Sequence, residues 1–337
     1  MNSEERIIKT LRHEEVDRVP FFEWIIDGKV MEALCPGKSA DEFVDAMNLD
    51  AVCVDLDYRK EEIEPGLFRD EWGMVKRCNS EEHAYPISGP IQNLRDLAKY
   101  QAPDPHLPER FKTLEKQLAR HGGKKAVILH LNDVLSIPLR LLGFAEMLTA
   151  FYDDPALVEG LIALSVDVNL ELAKEAVQRG VKIVYTGDDY AFNSGPLVSP
   201  GQFRKFLYPG LCKVIGGFKD LGLYVMKHTD GDIMPILDMI IDSGIDLLDP
   251  IDPIAGMSLE HIKNKYGKRV AIKGNVDCAE TLTFDTVAQT VAASKRCLEI
   301  GAPGGGYVFS SSNSIHSGVK PENFAAMIET HREHGNY

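Results

Sequence analysis

The sharpest chemical signal in the chain is His228-Thr229-Asp230. On an extended segment, residues two apart point to the same face, so imidazole and carboxylate can bind one ion together. That pair suits zinc or another borderline divalent metal. Asp188 or Asp189, at the end of the preceding strand, could supply a third ligand. A second reading stays open, in which Asp230 caps the following helix and His228 only orients substrate.

These residues close two of a series of short apolar runs. The expected strands are Val19–Trp24, Ala51–Asp55, Ala126–Leu131, Lys182–Thr186, Leu223–His228, Ile245–Asp249, Val270–Lys273 and Tyr307–Ser310. Stretches of helical period separate them, which signals βα units and a parallel sheet, and eight such units most simply close into a (β/α)8 TIM barrel. An open doubly wound sheet is the alternative, but no glycine-rich fingerprint follows an early strand.

In a barrel, chemistry gathers at the C-terminal strand ends. Those ends carry Glu23; Asp55 and Asp57; Asn132 and Asp133; Asp188, Asp189 and Tyr190; His228, Asp230 and Asp232; Asp249 and Asp252; and Asn275 and Asp277. Ser311–Ser314, containing Asn313, and then His316 follow the last strand. One Asp at a strand end is usually a helix cap. Many around one mouth repel each other unless a cation or a proton compensates. Ser311–Ser314 reads equally as an anion-holding rim or a small-residue loop under a lid. Gly304-Gly305-Gly306 precedes a strand and reads as a tight αβ loop, not a phosphate cradle.

Helix punctuation supports the frame. Ser3–Leu11 reads as an amphipathic helix ahead of the barrel. Ser199-Pro200 opens a helix with Phe203, Phe206, Leu207, Leu211 and Val214 on one side, Ser258 opens another that Gly267 ends, and Pro321-Glu322 starts the last. Between residues 57 and 108 the pattern loosens, so we expect an irregular insertion, a β-hairpin plus loops, within one domain spanning 1–337.

The 337 residues carry 37 basic and 51 acidic side chains, a net charge of −14. This balance argues against nucleic-acid binding, which needs clustered cations. No apolar run approaches a membrane span, and the acidic N-terminus does not read as a signal peptide. Cys35, Cys53, Cys78, Cys212, Cys278 and Cys297 form no CxxC pair and read as reduced thiols of a cytosolic enzyme.

The opening ERIIKTLRHEEVDRVPFFEW, the segment GPLVSPGQFRKFLYPGLCKVI, then KHTDGD, LDPIDP, GNVD and the tail GGYVFSSSNSIHSGVKPENFAAM together resemble the uroporphyrinogen decarboxylase superfamily over essentially the whole chain. The resemblance implies a (β/α)8 barrel and, by family habit, a homodimer. True uroporphyrinogen decarboxylases hold an eight-carboxylate substrate with arginines in a motif resembling R-Q-A-G-R. The matching stretch here, Phe22 to Gly28, has no arginine and gains Glu23 and Asp27, which disfavours a polyanion.

The corrinoid-linked methyltransferases of the superfamily are similar in placing a His at the fifth strand end, a ligand two residues on, and a third after the eighth strand. In thiol methyltransferases the latter two are cysteines. Here they match Asp230 and Asn313. Oxygen and nitrogen ligands leave more positive charge on a metal than thiolates do, which suits polarising an ether oxygen or an amine.

The resemblance therefore implies a methyltransferase moving a methyl group from a methoxyaromatic or methylamine-like donor to a corrinoid protein. The expected metal ligands are His228, Asp230 and Asp188 or Asp189, with Asp188, Asp189 or Tyr190 as proton donor. Glu23, Asp55, Asn132, Asn275, Asp277, Asn313 and His316 would line the substrate side. The alternatives are a metal-free decarboxylase using Asp55 or Asp57, and a non-catalytic barrel that binds a small ligand or corrinoid.

Overall fold

Asn2 caps the first helix, Ser3–Leu11, in a reciprocal box with Glu5. Its apolar residues Ile7 and Leu11 join Phe22, Ala51, Ile128, Tyr185, Met226 and Val308 in one buried cluster on the inner face of the sheet. The structure is a computed structural model describing residues 1–78 and 84–336, with side chains described outside 78–86. The side chain of Cys78 and residues 79–83 of the insertion lie outside the described residues.

In chain order the strands are β1 (Ala51–Val54), β2 (Lys60–Glu64), β3 (Leu67–Asp70), β4 (Val75–Cys78), β5 (Ala84–Ser88), β6 (Ala126–Leu131) and β7 (Ile183–Thr186). There follow β8 (Ala191–Phe192), β9 (Gly195–Pro196), β10 (Tyr224–His228), β11 (Leu247–Asp249), β12 (Ala271–Val276) and β13 (Tyr307–Ser311). A seven-stranded parallel sheet runs β1-β6-β7-β10-β11-β12-β13. Helices cover its outer face, and the larger apolar core lies between the layers.

The eighth expected strand, Val19–Trp24, is not a strand. Pro20 has no N–H to donate, and the Phe21 N–H bonds to the Asp50 carboxylate at 2.8 Å. Two backbone bonds place the segment between the sheet edges: Phe309 N–H to Pro20 O at 2.9 Å, and Asp50 N–H to Phe21 O at 2.8 Å. The curled sheet is thus bridged there without a continuous ladder.

The insertion is more regular than expected. β2, β3, β4 and β5 form an antiparallel sheet of their own. All five residues of β2 are exposed, so no alternation marks it. The β2–β3 turn is Pro65-Gly66, where proline presets φ and Gly66 takes φ 75°. Arg110 fastens this sheet to the main body, pairing with Glu71 at 3.0 Å and stacking on Tyr58 at 4.5 Å.

The helix starts hold. Ser199 Oγ accepts the Gln202 N–H and Ser258 Oγ the His261 N–H, each at 3.2 Å. Phe203–Leu207 forms a π-helical turn before Tyr208–Asp220, and its apolar side is buried. Pro321 begins the last helix, which ends at His334. No helix among the described residues is long and apolar enough to cross a membrane.

Candidate active site

His228 ends β10 and Asp249 ends β11, and the two are register partners. The His228 Nδ1–H donates to Asp249 Oδ2 at 2.7 Å. Asp249 is 2% exposed, and it also accepts the Tyr185 hydroxyl at 2.6 Å and the Lys273 ammonium at 2.7 Å. Burial pushes the Asp249 pKa up, but Lys273 and His228 hold it well below the usual carboxylate range. With Nδ1 committed, His228 presents Nε2 to the cavity, 3.4 Å from Asp230 Oδ1 and 3.8 Å from Asp189 Oδ1. Burial lowers the imidazole pKa, yet the neighbouring Asp230 and Asp249 carboxylates lift it to about 10.

Asp230 is held from two sides. Its Oδ2 accepts the Asn313 amide at 2.6 Å, and its backbone N–H donates to Asp189 Oδ1 at 3.1 Å. Its Oδ1 is buried and accepts no hydrogen bond among the described residues. One donor atom each from Asp189, His228 and Asp230 lies within 4.8 Å of the others. An imidazole nitrogen oriented by a carboxylate behind it, with two carboxylate oxygens in front, is a donor set that fits a divalent cation.

The trio opens on a cavity of about 220 Å³, which Trp24, Tyr185 and His130 also line. Trp24 stacks on Tyr185 with centroids 4.1 Å apart and planes 20° apart, and His130 meets Trp24 edge-on at 5.0 Å. His130 Nδ1 lies 2.7 Å from Asp55 Oδ1. Glu23 sits deep in the wall, accepting the Ser311 N–H at 2.8 Å and contacting Ser311 Oγ at 2.7 Å. Ser311 Oγ also lies 2.5 Å from Asn313 O. A hydroxyl has one proton to give, so both contacts are satisfied only when Glu23 is protonated and donates to Ser311. Burial agrees, pushing the Glu23 pKa to about 7 against Lys273 and Ser311.

Of the expected site residues, the structure brings together Glu23, Asp189, His228, Asp230 and Asn313 around the cavity. Asp188 is not among them. Strand parity turns it behind the sheet, where its carboxylate accepts the Leu135 N–H at 2.6 Å and the Ser136 N–H at 2.9 Å. Tyr190 lies behind as well, donating to Asp133. Lys227 joins this dry network, 2.8 Å from Asp133 and 2.6 Å from the Asp188 carbonyl. The third carboxylate beside His228 and Asp230 is therefore Asp189, and neither Asp188 nor Tyr190 is placed to give a substrate a proton.

Asp55 reaches the cavity through His130. Asn132 does not line it; its N–H is tied to Asn169 at 3.0 Å. β12 runs past Lys273 to Val276, so Asn275 donates to Ile251 O at 3.0 Å beyond the cavity. Asp277 caps Ala279 and Glu280 at 2.9 Å. His316 accepts the Gly318 N–H at 3.1 Å, outside the cavity. Sequence reasoning missed His130, Tyr185 and Lys273 and left Asp249 without a role. Lys273 at the end of an apolar run, like Asp249, was the available signal.

A parallel βα sheet with acids and imidazole gathered at its carboxyl strand ends defines an enzyme-type α/β fold. The chain belongs to the uroporphyrinogen decarboxylase (URO-D) family, whose model matches residues 77–334. Curated relatives include the uroporphyrinogen decarboxylases of Thioalkalivibrio sulfidiphilus and Geotalea daltonii. The first is 22% identical over 258 residues, 71% of this chain and 69% of that protein. The second is 23% identical over 259 residues, 71% and 70% of the two chains. Among solved structures, a methyltransferase from Methanosarcina mazei superposes with TM-score 0.79 at 19% identity, covering 99% of both chains. A B12-independent methionine synthase from Shewanella sp. W3-18-1 gives TM-score 0.51 at 15% identity, over 95% of both. These likenesses carry the fold.

Proposed function

We propose that the chain is a methyltransferase that takes a methyl group from a small oxygen- or nitrogen-bound donor and passes it to a corrinoid carried by a partner protein. A divalent cation, zinc by the donor chemistry, would be held by His228, Asp230 and Asp189. The observation that carries this reading is Asp230 Oδ1, a buried carboxylate oxygen with no hydrogen-bond partner among the described residues, beside His228 Nε2 at 3.4 Å. A buried acceptor left without a partner is costly unless a cation or ligand meets it. When bound, the cation supplies Lewis acidity toward the donor heteroatom.

The chain's own residues do the remainder. Asp249 fixes the His228 tautomer, Asn313 fixes the Asp230 rotamer, and the Trp24–Tyr185 pair offers an apolar wall to the donor. Uroporphyrinogen suits this cavity poorly. About 220 Å³ is below the roughly 300 Å³ of ordinary small-ligand pockets, and the lining carries Asp189, Asp230 and Asp249. Its Lys273 is already paired with Asp249.

The test is metal analysis of the purified protein and of His228→Ala, followed by methyl transfer from methoxyaromatic and methylamine panels to cob(I)alamin. Stoichiometric metal in the wild type, lost in the variant, with transfer from a panel member, supports the reading. Metal in neither protein, or turnover of uroporphyrinogen, overturns it.

A further inference from the structure

We propose that His130, braced by Asp55, is the proton donor to the heteroatom that loses its methyl group; the inference rests on the methyl-transfer reading above. His130 and Asp55 stand at the ends of adjacent strands, β6 and β1, whose register pairs Val54 with Leu129 and so sets the next two residues side by side. The 2.7 Å contact uses Nδ1, leaving Nε2 with no hydrogen-bond partner among the described residues. Asp55 is exposed, so the pair meets solvent on one side and the cavity on the other. A carboxylate behind an imidazole fixes its tautomer and stabilises the imidazolium.

Gly187 makes room for this ring. A Cβ built there would lie 2.9 Å from His130 Nε2, so any side chain at residue 187 would displace the imidazole. Tyr185 lies between the two histidines, with ring centroids 6.4 Å from His130 and 5.7 Å from His228. A donor resting on the Trp24–Tyr185 wall therefore has the Asp189–His228–Asp230 trio on one side and His130 Nε2 on the other. The other acids of the cavity are committed: Glu23 to Ser311, Asp249 to three donors, and Asp189 and Asp230 to the trio.

The step balances. The electron pair of a Co(I) corrinoid forms the new bond to the methyl carbon as the C–O or C–N bond breaks heterolytically. The bonding pair stays on the heteroatom, which takes the Nε2 proton. Imidazole, its Nδ1–H still bonded to Asp55, then regains the proton at Nε2 from solvent once the demethylated product has left.

The test compares wild type, His130→Gln and Gly187→Ala, each with metal content and circular dichroism measured. Single-turnover transfer from alkyl aryl ethers should slow by about 100-fold or more in both variants, general acid catalysis being worth that much. The deficit should shrink as ring nitration makes the phenolate a better leaving group. An equal deficit for every ether, or none, overturns the proposal. An activity-independent measurement separates it from the parent reading: phenol titrated into ¹⁵N-histidine-labelled protein should shift the His130 Nε2 resonance, identified by its loss in His130→Gln. No shift overturns the role of His130 whether or not methyl transfer is found. A shift in a wild type that transfers no methyl from any donor places the failure in the parent reading instead.

Discussion

His228 and Asp249 face each other across two parallel strands, and the in-register pairing brings Nδ1 to 2.7 Å from Oδ2. The carboxylate holds the ring so that its other nitrogen points at Asp230. Asp249→Asn is expected to weaken divalent-metal binding by about 10- to 100-fold, as loss of such a partner does elsewhere. Chelator competition measures it, and unchanged affinity would remove Asp249 from the site.

Asp188 and Asp189 are neighbours with opposite assignments. Asp188→Asn removes an ionised acceptor from two buried amides and is expected to cost about 2 kcal/mol in urea unfolding, with metal content kept. Asp189→Asn should change stability by no more than about 0.5 kcal/mol and lose the metal. The reverse pattern would exchange the two roles.

Glu23 ties stability to pH. Its folded pKa of about 7 lies above the ordinary 4.5, so as pH rises the unfolded chain gives up this proton first. The group's contribution is therefore full below pH 4.5 and declines as pH rises toward 7, by about 3 kcal/mol in total. Glu23→Gln, whose amide can donate to Ser311 without titrating, should flatten that part of the pH–stability curve; an identical slope in the variant would mean Glu23 is ionised in the native protein.

His331 acts in the opposite direction. It is 4% exposed, stacks on Phe309 at 5.5 Å, and donates Nε2–H to Val19 O at 2.7 Å. Burial lowers its pKa from 6.5 to about 4. Acidification protonates the unfolded chain first, so this contribution is full above pH 6.5 and declines by about 3 kcal/mol as pH falls to 4. Melting temperatures at pH 5 and 7 should differ less in His331→Gln than in wild type, and an equal difference would count against the assignment.

Seven strands of the main sheet were legible because each is a continuous apolar run, as burial on both faces requires. Val19–Trp24 has the same composition and fails on a backbone property, the missing N–H of Pro20. The strands of the insertion were hidden for the reverse reason: Lys60–Glu64 is exposed along its whole length and shows no hydrophobic period.

The site was half legible. His228 and Asp230 stand two residues apart on an extended segment, and their common face followed from spacing alone. Asp188 and Asp189 differ by one residue, so choosing between them needed the strand's rotation, which composition does not specify. His130 lies inside the apolar run AVILHL, and nothing in that run points to Asp55; only strand register sets the two side by side. Asn275 fell outside because its strand continues beyond the apolar run that marked it.

The alternation at these strand ends has an evolutionary corollary. Asp189 and His228 face inward, while their immediate neighbours Asp188 and Lys227 face outward into a sealed network that anchors helix to sheet. Chemistry and folding are thus encoded in adjacent letters but separate compartments. Inward positions can be exchanged, carboxylate for thiolate or amide, without disturbing the scaffold behind them, so one ancestral frame can host unrelated reactions by editing alternate residues.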